Sequence, residues 1–391
     1  MKLEGIRVID LSRFLPGPLA TQLMADQGAE VVKIESIDEG EPTREIGAKR
    51  DGVSVYFSNT QRGKHSLALN LKDPQGVEVL MRLAETADVL IESFRPGVVD
   101  RLGIGYAQVS KRAPKIVYAS IAAFGQTGPY RELATHDLGT EALTGVLSLN
   151  RGGDGKPAIP ALANADMLVA TLTLAGVLMA LLRRKDTGKG DYLDMAMADC
   201  LLACLPNNMG VAMTERRQPD PKSERTLGGN ALYNVYETKD GDFVVLGGQE
   251  LKFAKNLLEP LGRPDLVELC KLPPGPGQDP VRAFLRETFR TKTKAEWLEW
   301  FKGRDIAFAP MKTLPEVLED PHFKARGMVL KDGRGWDHLG IPIAFRDEPG
   351  RVSFEAPAHG QHTSAILRSL GYADGEIAQL KAKGVVKDAS L

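Results

Sequence analysis

Strand, turn and helix alternate repeatedly before residue 125, and this alternation restricts the fold more than any other feature of the chain. GIRVIDLS is apolar and β-branched, PGPLATQLMADQGA has prolines near a helix start and Gly28 as its stop, and EVVKIES is the next strand. Two strands joined through a helix lie parallel, because that crossover is right-handed and long. GVEVLMRLAETA with DVLIESF, and YAQVSKRA with KIVYASI, repeat the unit. The expected class is α/β, with a Rossmann-like doubly wound sheet. The turn after the first strand, SRFLPGP, is not GxGxxG, which counts against NAD and FAD.

The texture changes further along. NALYNVYETKDGDFVVLGG is two alternating runs around the turn residues KDGD, the pattern of a β-hairpin. Helical stretches follow. We therefore expect a large domain from residues 1–224 and 336–391 and a smaller α+β domain from 225–335. Met167–Leu182 is an apolar run shorter than a bilayer span, interrupted by threonines and a glycine, and reads as a core helix.

Composition narrows the function classes. Lys plus Arg (50) nearly cancels Asp plus Glu (51), so no basic excess argues for nucleic acid and any anionic ligand needs a local cluster of cations. The three cysteines, Cys200, Cys204 and Cys270, have no CxxC spacing, which fits a reducing cytoplasm and gives no metal site. Cys200 and Cys204 read as buried small hydrophobes. MKLEGIRVIDLS lacks the apolar stretch of a signal peptide, and no membrane association is expected.

Six strings in order carry a resemblance: GIRVIDLSRFLPGPLATQLMADQGAEVVKIE, NTQRGKHSLALNLKDPQG, DVLIESFRPGVVDRLGIGY, ASIAAFGQTGP, LLRRKDTGKGDYLDMAM and HGQHTSAIL. Together they resemble the class III CoA-transferase (CaiB/BaiF) family from residue 3 to about 385. The resemblance implies a large domain built from both chain ends, a small domain between them, and an interlinked homodimer. It implies an acyl-CoA thioester as substrate and no permanently bound cofactor. The family has two chemistries. Its transferases move CoA between carboxylic acids through a covalent aspartyl intermediate. Its α-methylacyl-CoA racemases invert the carbon beside the thioester.

Both chemistries use an aspartate that matches Asp166 in PALANADMLVAT. His136 and Asp137, in THDLGTEAL, resemble the histidine–aspartate pair of the racemase branch, although Thr135 stands where glycine is usual there. Glu250, in LGGQELKF, matches a glutamate that completes the racemase site from the small domain. Imidazole is naturally suited to two-base proton transfer near neutral pH, and a desolvated carboxylate can be raised to match it. Asp166, His136 and Glu250 are therefore the candidate catalytic residues, with the racemase reading first. The alternatives are a transferase using Asp166 as nucleophile and a non-catalytic CoA-binding subunit. Arg95 and Arg101 fall where the family contacts CoA, Lys33, Arg62 and Lys64 follow strand ends or turns nearby, and Leu15, Arg44 and Asp137 complete the expected binding set. Ser36 occupies a position where the family often has arginine, with Arg44 as the substitute, and Leu15 favours an apolar acyl group. His65, His322, His338, His359 and His362 read as structural.

Overall fold

The computed structural model describes residues 1–152 and 154–389. The chain divides into two compact units: Met1–Val146 with Ile159–Cys204 and Pro321–Leu391, and Leu147–Ala158 with Leu205–Asp320. The smaller unit thus runs 205–320 where the texture of the sequence suggests 225–335. Its leading edge includes the helix Gly210–Glu215, which buries no residue that would announce a boundary.

The first unit is built on β1 (Arg7–Leu11), α1 (Pro16–Asp26), β2 (Glu30–Glu35), α2 (Val55–Gln61), β3 (His65–Leu69), α3 (Pro74–Glu85), β4 (Val89–Glu92), α4 (Tyr106–Arg112) and β5 (Val117–Ala122). It continues with α5 (Asp137–Leu143), α6 (Asn164–Thr187), β6 (Asp191–Ala196) and α7 (Met197–Ala203). The strands are RVIDL, EVVKIE, HSLAL, VLIE and VYASIA in turn, short runs buried on both faces, as a parallel sheet between helical layers requires. Their order is β3-β2-β1-β4-β5-β6, all parallel, with the C-terminal strand Val386–Lys387 antiparallel on the β3 edge. In this order the chain reverses direction across the sheet between β1 and β4, which opens a crevice at the strands' C-terminal ends.

Helix starts follow local chemistry. Pro74 opens α3 and Asp73 caps it, accepting from the Gln75 N–H at 2.7 Å. Gly28 leaves α1 at φ 100°, a left-handed turn that a side chain would resist. Two cores flank the sheet, one around Leu67, Leu80, Leu83 and Val109, the other around Val8, Met24, Val117 and Val169.

The 24-residue helix α6 is the one helix among the described residues long and apolar enough to cross a membrane. It is not buried all round, as the sequence reading has it. Ala165, Val169, Ala170, Thr173, Leu174, Val177 and Leu181 face inward, whereas Met179 and Leu182 are 69% and 67% exposed. Cys204 is also exposed, unlike buried Cys200, because α7 ends at Ala203 and Cys204 is already its cap.

The second unit carries the expected hairpin, β7 (Tyr233–Glu237) with β8 (Phe243–Gly247), and β9 (Phe308–Pro310) pairs antiparallel on β8. Helices pack over it around Val281, Leu285, Phe289 and Trp297.

Candidate active site

A cavity of about 540 Å3 opens at the C-terminal ends of β1, β4 and β5. Its walls are Arg13 and Phe14 after β1, Ser93–Pro96 after β4, Ala122–Phe124 at the end of β5, the segment Arg131–His136, and Asp166. Two of the three expected catalytic residues, His136 and Asp166, therefore share one cavity, at the crevice the topology creates.

Asp166 lies in the first turn of α6. The cap of that helix is Asp137, whose Oδ1 accepts from the backbone N–H groups of Ala165 (2.7 Å) and Asp166 (3.2 Å). One oxygen of Asp137, expected as a CoA contact, is thereby used to cap this helix. A helix N-terminus ordinarily favours ionised aspartate. Here burial wins, helped by the neighbouring Asp137 charge, and pushes Asp166 from 3.8 up to about 7. Asn164, one turn-step away, donates to Glu141 Oε1 at 2.8 Å.

This raised value carries a stability cost with a defined sign. The folded state holds more protons on Asp166 than the unfolded chain between about pH 4 and 7, so the cost grows as pH rises through that window and is full above it. Asp166→Asn is expected to stabilise the protein at pH 8 by about 2–4 kcal/mol and to give almost nothing at pH 4. Urea midpoints at the two pH values check this; an equal effect at both would show that Asp166 is not desolvated.

His136 immediately precedes α5, and its carbonyl accepts from the Thr140 N–H and hydroxyl, both at 3.1 Å. Neither imidazole nitrogen has a hydrogen-bond partner among the described residues. The ring meets Phe14 edge-on, with centroids 5.9 Å apart and planes at 82°. Glu250 belongs to the second unit, exposed at the N-cap of the helix Leu251–Leu258, where its side chain makes no capping bond.

The expected CoA contacts separate into two groups. Arg95 lines the cavity, with its guanidinium unpaired among the described residues. Arg101, also exposed, ends the short helix Val98–Arg101 and is not in the wall. Leu15 is the N-cap of α1, half-buried between the lining residues Phe14 and Pro16. The other four cations, Lys33, Lys64, Arg62 and Arg44, have partners within the fold; the first three are buried and Arg44 is half-buried. Lys33 pairs with Glu41 at 2.9 Å and bonds the Ser12 carbonyl. Lys64 donates to Asp10 (2.9 Å), Thr21 (2.7 Å), Gln61 (2.9 Å) and the Pro18 carbonyl (3.0 Å). Burial pushes Lys64 down to about 8, even against Asp10. Arg62 pairs with buried Asp26 at 2.8 Å. Arg44, expected to substitute for the arginine absent at Ser36, grips both oxygens of Glu35, at 2.9 and 2.7 Å. Sequence cannot separate such ions from ligand-binding ones, because their partners come from other strands. His362 Nδ1 accepts from the Ser66 N–H at 3.1 Å, and His359 Nε2 lies 2.7 Å from the Ser36 carbonyl.

Some site residues escaped the sequence reading. Arg13, Phe14 and Arg131 line the cavity, and the Arg13 guanidinium, 5.7 Å from the Phe14 ring centroid, has no carboxylate partner among the described residues. The signal for Arg13 and Phe14 was present: in a sheet of this type, the turn after the first strand borders the crevice. Glu92 lies beneath the wall, accepting from the Phe94 N–H at 2.7 Å and from the Ser120 hydroxyl; burial raises it to about 7. A second cavity, of about 440 Å3, adjoins at the ends of β1, β2 and β3 and shares Arg13, Phe94 and Val98 with the first. Among the described residues, no group of three or more His, Cys, Asp or Glu side chains is arranged to hold a metal ion.

Sheet order and site together define an α/β protein whose cavity, at the switch point of its sheet, holds the carboxyl of Asp166 and the imidazole of His136. The family model of CoA-transferase family III matches residues 3–363, and the chain belongs to that family. It is 34% identical over 398 residues to the α-methylacyl-CoA racemase of Homo sapiens, covering 99% of this chain and 98% of that protein. It is 32% identical over 396 residues to the succinyl-CoA:glutarate CoA-transferase of Mus musculus, covering 98% of this chain and 90% of that one. A solved CAIB/BAIF family protein from Brucella suis superimposes with a TM-score of 0.81 at 29% identity, covering 94% of this chain and 99% of its own. Relatives of both chemistries stand at similar identity, so the choice between them rests on the site.

Proposed function

We propose that this enzyme epimerises the α-carbon of a 2-methylacyl-CoA by two-base proton transfer between Asp166 and His136. The observation that carries the reading is Asp166, desolvated and raised to about 7 in the cavity that also holds an imidazole with no hydrogen-bond partner among the described residues. A racemase needs one base ionised and one acid protonated at the same pH, with roles exchanged for the opposite epimer. A carboxyl raised to about 7 in the same cavity as an imidazole suits that need; a carboxylate kept for nucleophilic attack is better served by full ionisation. The thioester carbonyl acidifies the α-C–H bond. One group takes the proton, leaving a planar enolate, and the other returns a proton to the opposite face.

Arg95 and Arg13, whose guanidinium groups lack acceptors among the described residues, are assigned to the phosphates of CoA, and the adjoining cavity to its nucleotide end. CoA enters and leaves as part of the substrate, and the proton-transfer groups belong to the chain itself. The unpaired thiols of Cys200, Cys204 and Cys270 suit a cytoplasmic setting.

The transferase reading is favoured by one observation, the relatives named CoA-transferase. Incubation with a 2-methylacyl-CoA in D2O separates the two. Deuterium at the α-carbon supports epimerisation; no deuterium, with CoA passing to an added acid, supports transfer.

We also assign a homodimer. Met167, Leu172, Leu178, Met179 and Leu182 leave an apolar face of α6 uncovered, more than isolated surface residues would present. Light scattering at micromolar protein is expected to give twice the chain mass, and a stable monomer would overturn the assignment.

A further inference from the structure

A catalytic histidine is ordinarily held in register by a hydrogen bond from its second ring nitrogen to a carboxylate or carbonyl. His136 has no such bond among the described residues. Its ring is met instead by Phe14, edge-on at 5.9 Å. Phe14 is itself in an unusual conformation: its φ is 62°, a left-handed backbone that a bulky side chain adopts only when its surroundings hold it there.

The surroundings do so from three elements. The Phe14 N–H donates to Glu41 Oε1 at 2.9 Å. Glu41 is fully buried, and its other oxygen forms an ion pair with Lys33 at 2.9 Å. Lys33 also bonds the Ser12 carbonyl, and the Arg13 N–H donates to Ser93 Oγ at 2.9 Å. The turn Ser12–Phe14 is thus pinned from β2, from the loop after β2 and from the end of β4. The result of this arrangement is a phenyl ring that is 37% exposed in the cavity wall and set against the imidazole.

We propose that Phe14 is the positioning residue for His136, and that the left-handed turn is maintained to hold its ring in place. A ring contact orients imidazole without occupying either nitrogen, so one nitrogen meets the substrate while the other exchanges its proton with water. This inference rests on the epimerase reading for its kinetic form.

Face-resolved exchange in D2O is the test. Phe14→Leu keeps apolar bulk, and Phe14→Gly removes the ring while relieving the φ, so folding is retained in the second even if the first is strained. Both variants are expected to slow α-proton exchange by about 10- to 100-fold in one epimer, the same one that His136→Gln silences. Exchange of the epimer served by Asp166 should be nearly unchanged. Equal losses in both epimers, or no loss in either, would overturn the proposal, because a wall residue that merely shapes the pocket does not distinguish faces. If the wild-type protein shows no exchange, the epimerase reading fails first. The positioning claim is then decided by a crystal structure of Phe14→Gly: a reoriented or disordered imidazole supports it, and an unmoved ring overturns it.

Discussion

Asp166→Ala is expected to lose about 10²–10⁴-fold in turnover while the protein stays folded. The loss follows from chemistry common to both readings: Asp166 is either a proton-transfer base or the nucleophile, and alanine is neither. Retention of the fold follows from the cap. The first turn of α6 is held by the side chain of Asp137 on the backbone N–H groups of Ala165 and Asp166, which the substitution leaves in place. Removal of a carboxyl that resists ionisation should even raise stability above neutral pH. Steady-state assays beside circular dichroism check both halves. A folded variant retaining more than a few per cent of turnover would take Asp166 out of the site.

His136→Gln separates the two chemistries. In an epimerase, abstraction from the face that His136 serves should fall by about 10²–10⁴-fold, the usual contribution of a positioned base. Asp166 still reaches the other face, so exchange becomes one-sided while interconversion of epimers stops. In a transferase the same variant leaves the nucleophile intact, and an aspartyl-CoA or anhydride adduct would accumulate on Asp166. We expect one-sided exchange and no adduct. Mass spectrometry of the protein during turnover, with hydroxylamine as trap, reads the second outcome, and an adduct on Asp166 would reverse the order of the two readings.

The candidate pair was legible in the sequence through the strings around residues 136 and 166, and the structure sets both residues in one cavity. The cations were less legible. Lys33, Arg62 and Lys64 look like Arg95 in a one-dimensional reading, each following a strand or turn in the same half of the chain. What separates them is the partner: Glu41, Asp26 and Asp10 claim the first three from within the fold, and no carboxylate among the described residues claims Arg95. Asp137 shows the same limit. Its neighbour His136 faces the cavity, while Asp137, one residue on, turns to cap a helix that starts 27 residues later.

Sequence by itself determined the α/β class and the parallel sheet, because βαβ connectivity and short strands buried on both faces permit little else. It also determined the hairpin of the smaller unit, whose alternation and turn residues are local signals. The tertiary structure alone decided which charges are internal, that α6 hides one stripe of its apolar surface rather than all of it, and that Asp166 resists ionisation. It also decided that Phe14 adopts a left-handed turn against His136. The physical reason is common to all four. Burial, ion pairing and strain depend on atoms brought together from distant parts of the chain, and a local pattern carries no record of the distance between them.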